Sequence, residues 1–286
     1  MFRKILLCSD ASLVSDLLIQ CAGELKTIGM EEVVVAHVLQ AVHTEGLDQL
    51  LAKEAGPILN RQREVLEQMG IKVAIEMPVG REPARTLNEL AEKQSVSAIL
   101  IGSHGKGILR AATLGSVCAR LLNEARMPVL LARITLLEGG KCDLVCRKMF
   151  TKALFPTDFS ETAEHALNYL GKIAADTKCS VTIMHVLEQK SADAADAAKR
   201  AEADCRFLLE SKKHRLESLG AIDVSANLAL GEPAKEILAR VKEGGFSIIV
   251  MGSQGKGFIK EILLGSVAKD VARHAGIPAL LIPPVR

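Results

Sequence analysis

Ser97-Ala-Ile-Leu-Ile-Gly102-Ser-His-Gly105-Lys-Gly107, with Leu114-Gly115-Ser116-Val117 shortly after it, decides how this chain is read. An apolar run, Ala98–Ile101, ends on a glycine, and Gly115-Ser116 then opens a stretch with helical spacing over Ser116–Glu124. The pattern returns 150 residues later as Ser247-Ile-Ile-Val-Met251-Gly252-Ser-Gln-Gly255-Lys-Gly257 and Leu264-Gly265-Ser266-Val267. Nine residues separate the second glycine from the third in both copies, although those nine have diverged. A strand, a glycine turn and a helix, met twice, are units of an α/β fold.

Working outward, the duplication takes in nearly the whole chain. Lys4-Ile-Leu-Leu-Cys-Ser9-Asp10-Ala-Ser12 is matched by Lys152-Ala-Leu-Phe-Pro156-Thr157-Asp158-Phe-Ser160, and Ala36-His37-Val38-Leu39 by Met184-His185-Val186-Leu187, both 148 residues on. Met127-Pro-Val-Leu-Leu131 is matched by Ile277-Pro-Ala-Leu-Leu281. So long a period is a duplicated domain rather than a solenoid. The expected organisation is a first domain over 1–134, a linker over 135–148 and a second domain over 149–286 of the 286 residues.

Within the first half, Lys4–Leu7, Val33–Leu39, Lys72–Pro78, Ala98–Ile101 and Val129–Ala132 read as strands. Between them lie a helical pattern from Leu13 to Leu25, a long helix over Leu47–Met69, one starting near Glu82-Pro83 and one over Ser116–Glu124. The second half repeats the order, with Ser191–Leu219 as its long helix. Strands alternating with helices predict a mainly parallel sheet with right-handed crossovers and helices on both faces.

Composition narrows the partners. Lys+Arg is 36 against 34 Asp+Glu, a net +2, and aromatics are 3% with no Trp, so neither charge nor stacking surface points to nucleic acid. No run approaches the roughly 18 apolar residues of a membrane span, and the N-terminal apolar stretch meets Asp10 too soon for a secretory signal. Seven cysteines without a C-x-x-C pair fit free thiols in a reducing cytoplasm. Cys142 and Cys146 are spaced like half a metal site but have no second pair nearby in sequence, so no metal centre is expected.

The glycine segments carry the chemistry. At the carboxyl end of a buried strand, where open α/β sheets bind ligands, glycines let backbone N–H groups approach an anion. Ser116 and Ser266, read as N-caps, would add a hydroxyl beside the positive end of a helix. Phosphate is the guest this arrangement suits. Three or four charge-assisted hydrogen bonds of about 1.5–3 kcal/mol each, set against the cost of association, would leave roughly micromolar affinity. The alternative is that the glycines only make tight turns. The chain has no G-x4-G-K-[ST] run, no G-x-G-x-x-G and no G-x-S-x-G, so the commoner phosphate, dinucleotide and esterase motifs are absent.

The succession of KILLCSDAS, AHVL, GSHGKG, GSV and MPVLL resembles the universal stress protein family in a tandem form, specifically its ATP-binding branch, whose pattern is G-x2-G-x9-G-[ST]. The resemblance implies two Rossmann-like domains of the adenine nucleotide alpha hydrolase-like kind, each a five-stranded parallel sheet flanked by helices. It also implies a nucleotide between the ends of strands one and four. It assigns Asp10 and Asp158, with Ser9, Pro156 and Thr157 before them, to the ribose and adenine region, Val38 and Val186 to the adenine pocket, and Met251 to the nucleotide-binding set. Gly102, Gly105, Gly115, Ser116 and Val117 would hold phosphates and ribose in the first half, and Gly252, Gly255, Gly265, Ser266 and Val267 in the second. Cys8-Ser9 departs from the more family-like Pro156-Thr157, and Ala11 and Phe159 stand where many relatives have glycine, which would crowd the turn.

Other residues carry rival readings. Asp10 and Asp158 could be N-caps of the helices that follow, with Ser12 and Ser160 competing. His37 and His185, on a buried strand, read as hydrogen-bonded core residues before ligand contacts. His104 is matched by Gln254, which argues against catalysis, while Lys106 and Lys256 recur and could face phosphate or solvent. Gly80-Arg-Glu-Pro83 and Gly231-Glu-Pro233 read as strand-to-helix links with proline at the first helical position.

The function expected is a cytoplasmic, ATP-binding stress sensor or regulator, with an unnamed client protein and Mg²⁺ carried, if at all, on the nucleotide's phosphates. Slow ATP hydrolysis or phosphoryl transfer, and a purely structural interaction module, are the alternatives. The apolar last strands, Val129–Ala132 and Ala279–Ile282, are expected to pair the two halves as an internal pseudo-dimer, with a further homodimer left open.

Overall fold

The computed structural model describes residues 1–41, 46–104, 114–136, 142–144, 148–188, 195–257 and 264–285. The chain divides into two compact units, Met1–Arg147 and Lys148–Arg286.

Unit 1 runs β1 (Lys4–Cys8), α1 (Leu13–Leu25), a 3-10 turn (Lys26–Ile28), β2 (Glu32–Ala36), α2 (Leu47–Gln68), β3 (Lys72–Glu76), α3 (Pro83–Lys93), β4 (Ala98–Gly102), α4 (Ser116–Glu124) and β5 (Val129–Ala132). Its strands are parallel in the order β3-β2-β1-β4-β5, with Leu6 registered against Val34 on one side and Ile99 on the other. The chain lays down β1, β2 and β3 outward in one direction, then returns to add β4 on the opposite side of β1. The seam between β1 and β4 is therefore a topological switch point, where neighbouring loops leave in opposite directions and open a crevice.

Unit 2 repeats the plan with β8 (Lys152–Pro156), α5 (Glu161–Thr177), β9 (Ser180–Leu187), α6 (Ala195–Ser218), β10 (Val224–Leu230), α7 (Pro233–Gly244), β11 (Ile248–Gly252), α8 (Ser266–His274) and β12 (Ala279–Ile282). Its strand order is β10-β9-β8-β11-β12, again parallel, with the switch point between β8 and β11. Each unit is thus a doubly wound, Rossmann-like α/β sheet of five strands. β4 and β11 are buried at every residue. Side chains alternate across a strand, so complete burial requires cover on both faces, and that is why these segments read as unbroken apolar runs. The cover comes from helix pairs, α1 with α2 and α3 with α4 in unit 1, α5 with α6 and α7 with α8 in unit 2.

Two expectations need correction. β2 ends at Ala36 rather than Leu39, whereas its counterpart β9 runs on to Leu187. The cause is Pro78, which lacks the N–H that the ladder would use; Ala229 stands at that place in β10 and pairs with Val186. Beyond Ala36 the chain keeps scattered bonds to its neighbour, His37 N–H to the Glu76 carbonyl, Leu39 N–H to that of Pro78 and Gly80 N–H to that of Leu39. The segment read as a plain linker contains an antiparallel ribbon, β6 (Ile134–Leu136) with β7 (Cys142–Leu144). The helix expected over Ser191–Leu219 is α6 over Ala195–Ser218, and residues 191–194 lie outside the described residues.

Candidate functional site

Crevices open at both switch points, at the carboxyl ends of the strands. In unit 2 the hollow measures about 600 Å³. Pro156, Thr157 and Asp158 wall it where β8 ends, Val186 where β9 ends, and Met251 and Gly252 where β11 ends. Gly255 closes it from the glycine segment, and Gly265, Ser266 and Val267 from the start of α8. All ten residues singled out in this half therefore meet around one cavity, of a size that suits a small-molecule ligand.

Helix α8 reaches this hollow without a side-chain cap. Gly265, not Ser266, is the cap: its backbone is extended (φ −68°, ψ 159°) and its carbonyl accepts from Lys269 N–H. Ser266 is the first helical residue, and the same shift by one holds in unit 1 for Gly115 and Ser116. With no hydroxyl or carboxylate folded back over it among the described residues, the first turn keeps its N–H groups for a guest.

The glycines have different reasons to be glycine. A Cβ on Gly252 would stand 3.0 Å from Thr162 Cγ2 and 3.2 Å from the Gln254 carbonyl, and one on Gly102 would stand 2.9 Å from Ile134 Cδ1. These two are demanded by close packing. Gly115 and Gly265 are not. Their φ values are negative, and an added Cβ would find its nearest neighbour at 3.5 Å, an ordinary contact. What a side chain would occupy there is the hollow both glycines line.

Asp158 does not cap α5. That role belongs to Ser160, whose Oγ accepts from Ala163 N–H at 3.3 Å. Asp158 instead accepts Ser160 N–H on Oδ1 at 3.1 Å and Lys256 N–H on Oδ2 at 2.7 Å. Thr157 Oγ1 accepts Phe159 N–H, and the Thr157 carbonyl accepts from His185 Nδ1 at 2.7 Å. A carbonyl can only accept, so the His185 proton sits on Nδ1 and Nε2 keeps its lone pair while the ring is neutral. Burial lowers the His185 pKa, helped by the Lys256 charge and opposed by the Thr157 bond and Asp158. Phe159 adopts the left-handed conformation (φ 61°) and sets its ring 4.5 Å from that of His185; Lys256 Nζ lies 5.8 Å from the Phe159 centroid.

The hollow of unit 1 measures about 410 Å³. It brings together Ser9, Asp10, Val38, Gly102, Gly115, Ser116 and Val117; Gly105 and Lys106 fall outside the described residues. Val38 lies two residues past the end of β2 rather than on it. Ala11 repeats the left-handed turn (φ 54°), its N–H bound to Ser9 Oγ at 3.1 Å. Asp10 Oδ1 accepts the hydroxyls of Ser12 and Ser15. Two thiols, Cys8 and Cys118, line this hollow where unit 2 has Pro156 and Ala268. Burial raises both: Cys8 further still through Cys118, and Cys118 to about 12 against the lowering pull of Arg133. Neither is a thiolate at neutral pH.

Some lining residues were not expected. His37 and His185 are half-buried and border the hollows, while each also holds the carbonyl at a strand end (His37 Nδ1 to Ser9 O, 3.0 Å), so the core and site readings both apply. Pro83 with Leu87, and Pro233 with Ile237, form a further wall. The signal was present in the recurring Glu-Pro pair, whose proline at the first helical position aims α3 and α7 at the site. Gln40 and Glu188, at matching places, differ in charge and had no pattern to reveal them. Among the described residues no helix is long and apolar enough to cross a membrane.

The model of the universal stress protein family matches residues 1–133 and again 149–283. A universal stress protein of Methanocaldococcus jannaschii is 30% identical over 155 residues, spanning 47% of this chain and 95% of its own. One of Mycolicibacterium smegmatis is 24% identical over 306 residues, spanning 98% of this chain and 97% of its own. Among solved structures, a universal stress protein from Archaeoglobus fulgidus superposes with a TM-score of 0.77 at 26% identity, covering 99% of this chain and 98% of that one. Two matches of the family model, one on each doubly wound unit, mean that the chain belongs to the universal stress protein family as a tandem of two such domains.

Proposed function

We propose that this protein binds an adenine nucleotide in the hollow of each unit, phosphates against the glycine segment and the first turn of α4 or α8, and acts as a regulator governed by nucleotide occupancy. The observation that carries the reading is the pair Gly115 and Gly265. Neither backbone angle nor packing asks for glycine there, and both border a cavity at an uncapped helix end. Those amides and that dipole end favour an anion, and the neighbouring walls of Val186, Met251 and Ile237 favour an apolar ring such as a purine. No group of three or more His, Cys, Asp or Glu is assembled to hold a metal among the described residues, so a divalent cation would travel with the phosphates. A regulatory role is favoured over rapid catalysis because Asp158 is engaged by two amides and the Cys8 and Cys118 thiols are held protonated.

Equilibrium dialysis of ATP against purified, nucleotide-stripped protein tests this. Two sites per chain are expected, with Gly115→Leu and Gly265→Leu each removing one and the pair removing both. Wild-type protein that binds no ATP, or leucine variants that bind as wild type, would overturn the reading.

A further inference from the structure

We infer that Asp158 is a positioning residue: it straps the glycine segment of unit 2 into the shape that offers its amides to phosphate, and the nucleotide is gripped by those amides rather than by the carboxylate. The inference rests on the reading of the second hollow as a nucleotide site and says how that site discriminates. Both carboxylate oxygens are engaged, Oδ1 by Ser160 N–H at 3.1 Å and Oδ2 by Lys256 N–H at 2.7 Å, a residue 98 positions away. Hydrogen bonds from N–H to an ionised carboxylate are among the stronger ones a protein makes, so the second is a firm tie between the end of β8 and the segment after β11.

Gly255 supplies an independent observation. Its φ is not in the left-handed region, so its backbone does not require glycine. A Cβ at that place would overlap Asp158 Oδ2. The second glycine of the motif is therefore demanded by the carboxylate, unlike Gly265, which is demanded by nothing among the described residues. The carboxylate is braced in turn: Phe159, next along, is locked in its left-handed turn by Thr157 Oγ1 and by its ring against His185. A bare carboxylate facing a polyphosphate would repel it. Spent on two backbone amides, the same group shapes an anion cradle. The site so built prefers phosphorylated nucleosides, and Asp158 sets the size of the preference.

The test uses the full-length chain with the first hollow filled by Gly115→Leu, and compares ATP with adenosine. In Asp158→Asn the side-chain amide can accept one N–H while its NH₂ opposes the other. ATP affinity is expected to fall at least about tenfold, the scale of one charge-assisted hydrogen bond, with adenosine affinity held within about twofold. Gly255→Ala should reproduce that pattern, and the double variant should be no weaker than either single, since both break the same contact. Equal losses for ATP and adenosine would make Asp158 a ribose contact and overturn the inference, as would additive effects. Amide exchange of Lys256 in nucleotide-free protein reads the strap itself. It should accelerate at least about tenfold in Asp158→Asn, and an unchanged rate would refute the tie. If the parent protein bound neither ligand, the proposed function would fail while the Lys256 exchange still decided the strap.

Discussion

Unit 1 and unit 2 share a strand order and a switch-point hollow, yet they steady the first turn of that hollow by different chemistry. In unit 1 the long helix α2 reaches it through the side-chain amide of Gln62, beside an Arg61–Asp16 ion pair. Ser9 Oγ donates to Gln62 Oε1 at 2.9 Å, and Gln62 Nε2 donates to Asp16 Oδ1 at 2.8 Å, with Gln62 only 1% exposed. In unit 2 the matching place on α6, between buried Leu209 and Leu216 as Gln62 lies between Leu59 and Leu66, is Lys212. Lys212 pairs with Glu164 at 2.8 Å, Arg215 joins at 3.0 Å, and Thr157 bonds within its own turn. The geometry was kept while the group at that place on the long helix changed from a buried amide to the ammonium of a half-buried ion pair. Position relative to the switch point is thus the constrained quantity, and the bonding partners are negotiable.

Breaking each tie should have unequal consequences. Gln62→Leu leaves the Ser9 hydroxyl, itself buried, without its acceptor, and should destabilise unit 1 by about 1–3 kcal/mol in denaturant unfolding. Lys212→Met leaves Arg215 on Glu164 and should cost no more than about 1 kcal/mol. Repeating both at about 1 M salt sharpens the contrast, because screening should shrink the Lys212 effect and leave that of Gln62 in place. A Gln62→Leu loss that screens away with salt would contradict the assignment.

The left-handed turns offer a second comparison of smaller size. Ala11 gains nothing visible for its positive φ beyond the Ser9 bond to its N–H, so Ala11→Gly should stabilise the protein by about 1 kcal/mol. Phe159→Gly relieves the same strain but forfeits the ring contact with His185 and the nearby Lys256 ammonium, so no gain is expected. Equal thermal shifts in the two variants would mean that the aromatic contact contributes nothing.

The smallest effect is a pH dependence contributed by His185 in unit 2. The folded His185 pKa lies below the ordinary 6.5, chiefly through burial. As pH falls below about 6.5 the unfolded chain therefore takes up this proton first, and stability declines until the folded form titrates as well; above that pH His185 contributes no slope. His185→Asn should flatten that part of a stability–pH profile, and an unaltered slope in the variant would assign the dependence elsewhere.

Much of this architecture could be read from residues in order. The apolar runs Ala98–Ile101 and Val129–Ala132, and the helix over Ser116–Glu124, appear as expected because full burial and helical spacing each leave a local mark. β2 was read too long because Pro78, the residue that ends its ladder, lies just past the end of a neighbouring strand some forty positions on. The ribbon between Ile134 and Leu144 was missed because three-residue strands carry too little alternation to register. The histidines were placed on a strand correctly in the case of His185, but burial by a strand does not tell which end of it borders a crevice.

The sequence alone determined the duplication, the alternation of strand and helix, the family resemblance and the places of the glycines, since each is written in periodicity or in turn chemistry within a short window. Tertiary structure decided what each residue answers to. Asp158 reaches Lys256, Ser9 reaches Gln62, and Gly255 is glycine because of a side chain nearly a hundred positions away. Such contacts form only when a switch point folds distant loops together, and distance along the chain leaves no periodic trace of them.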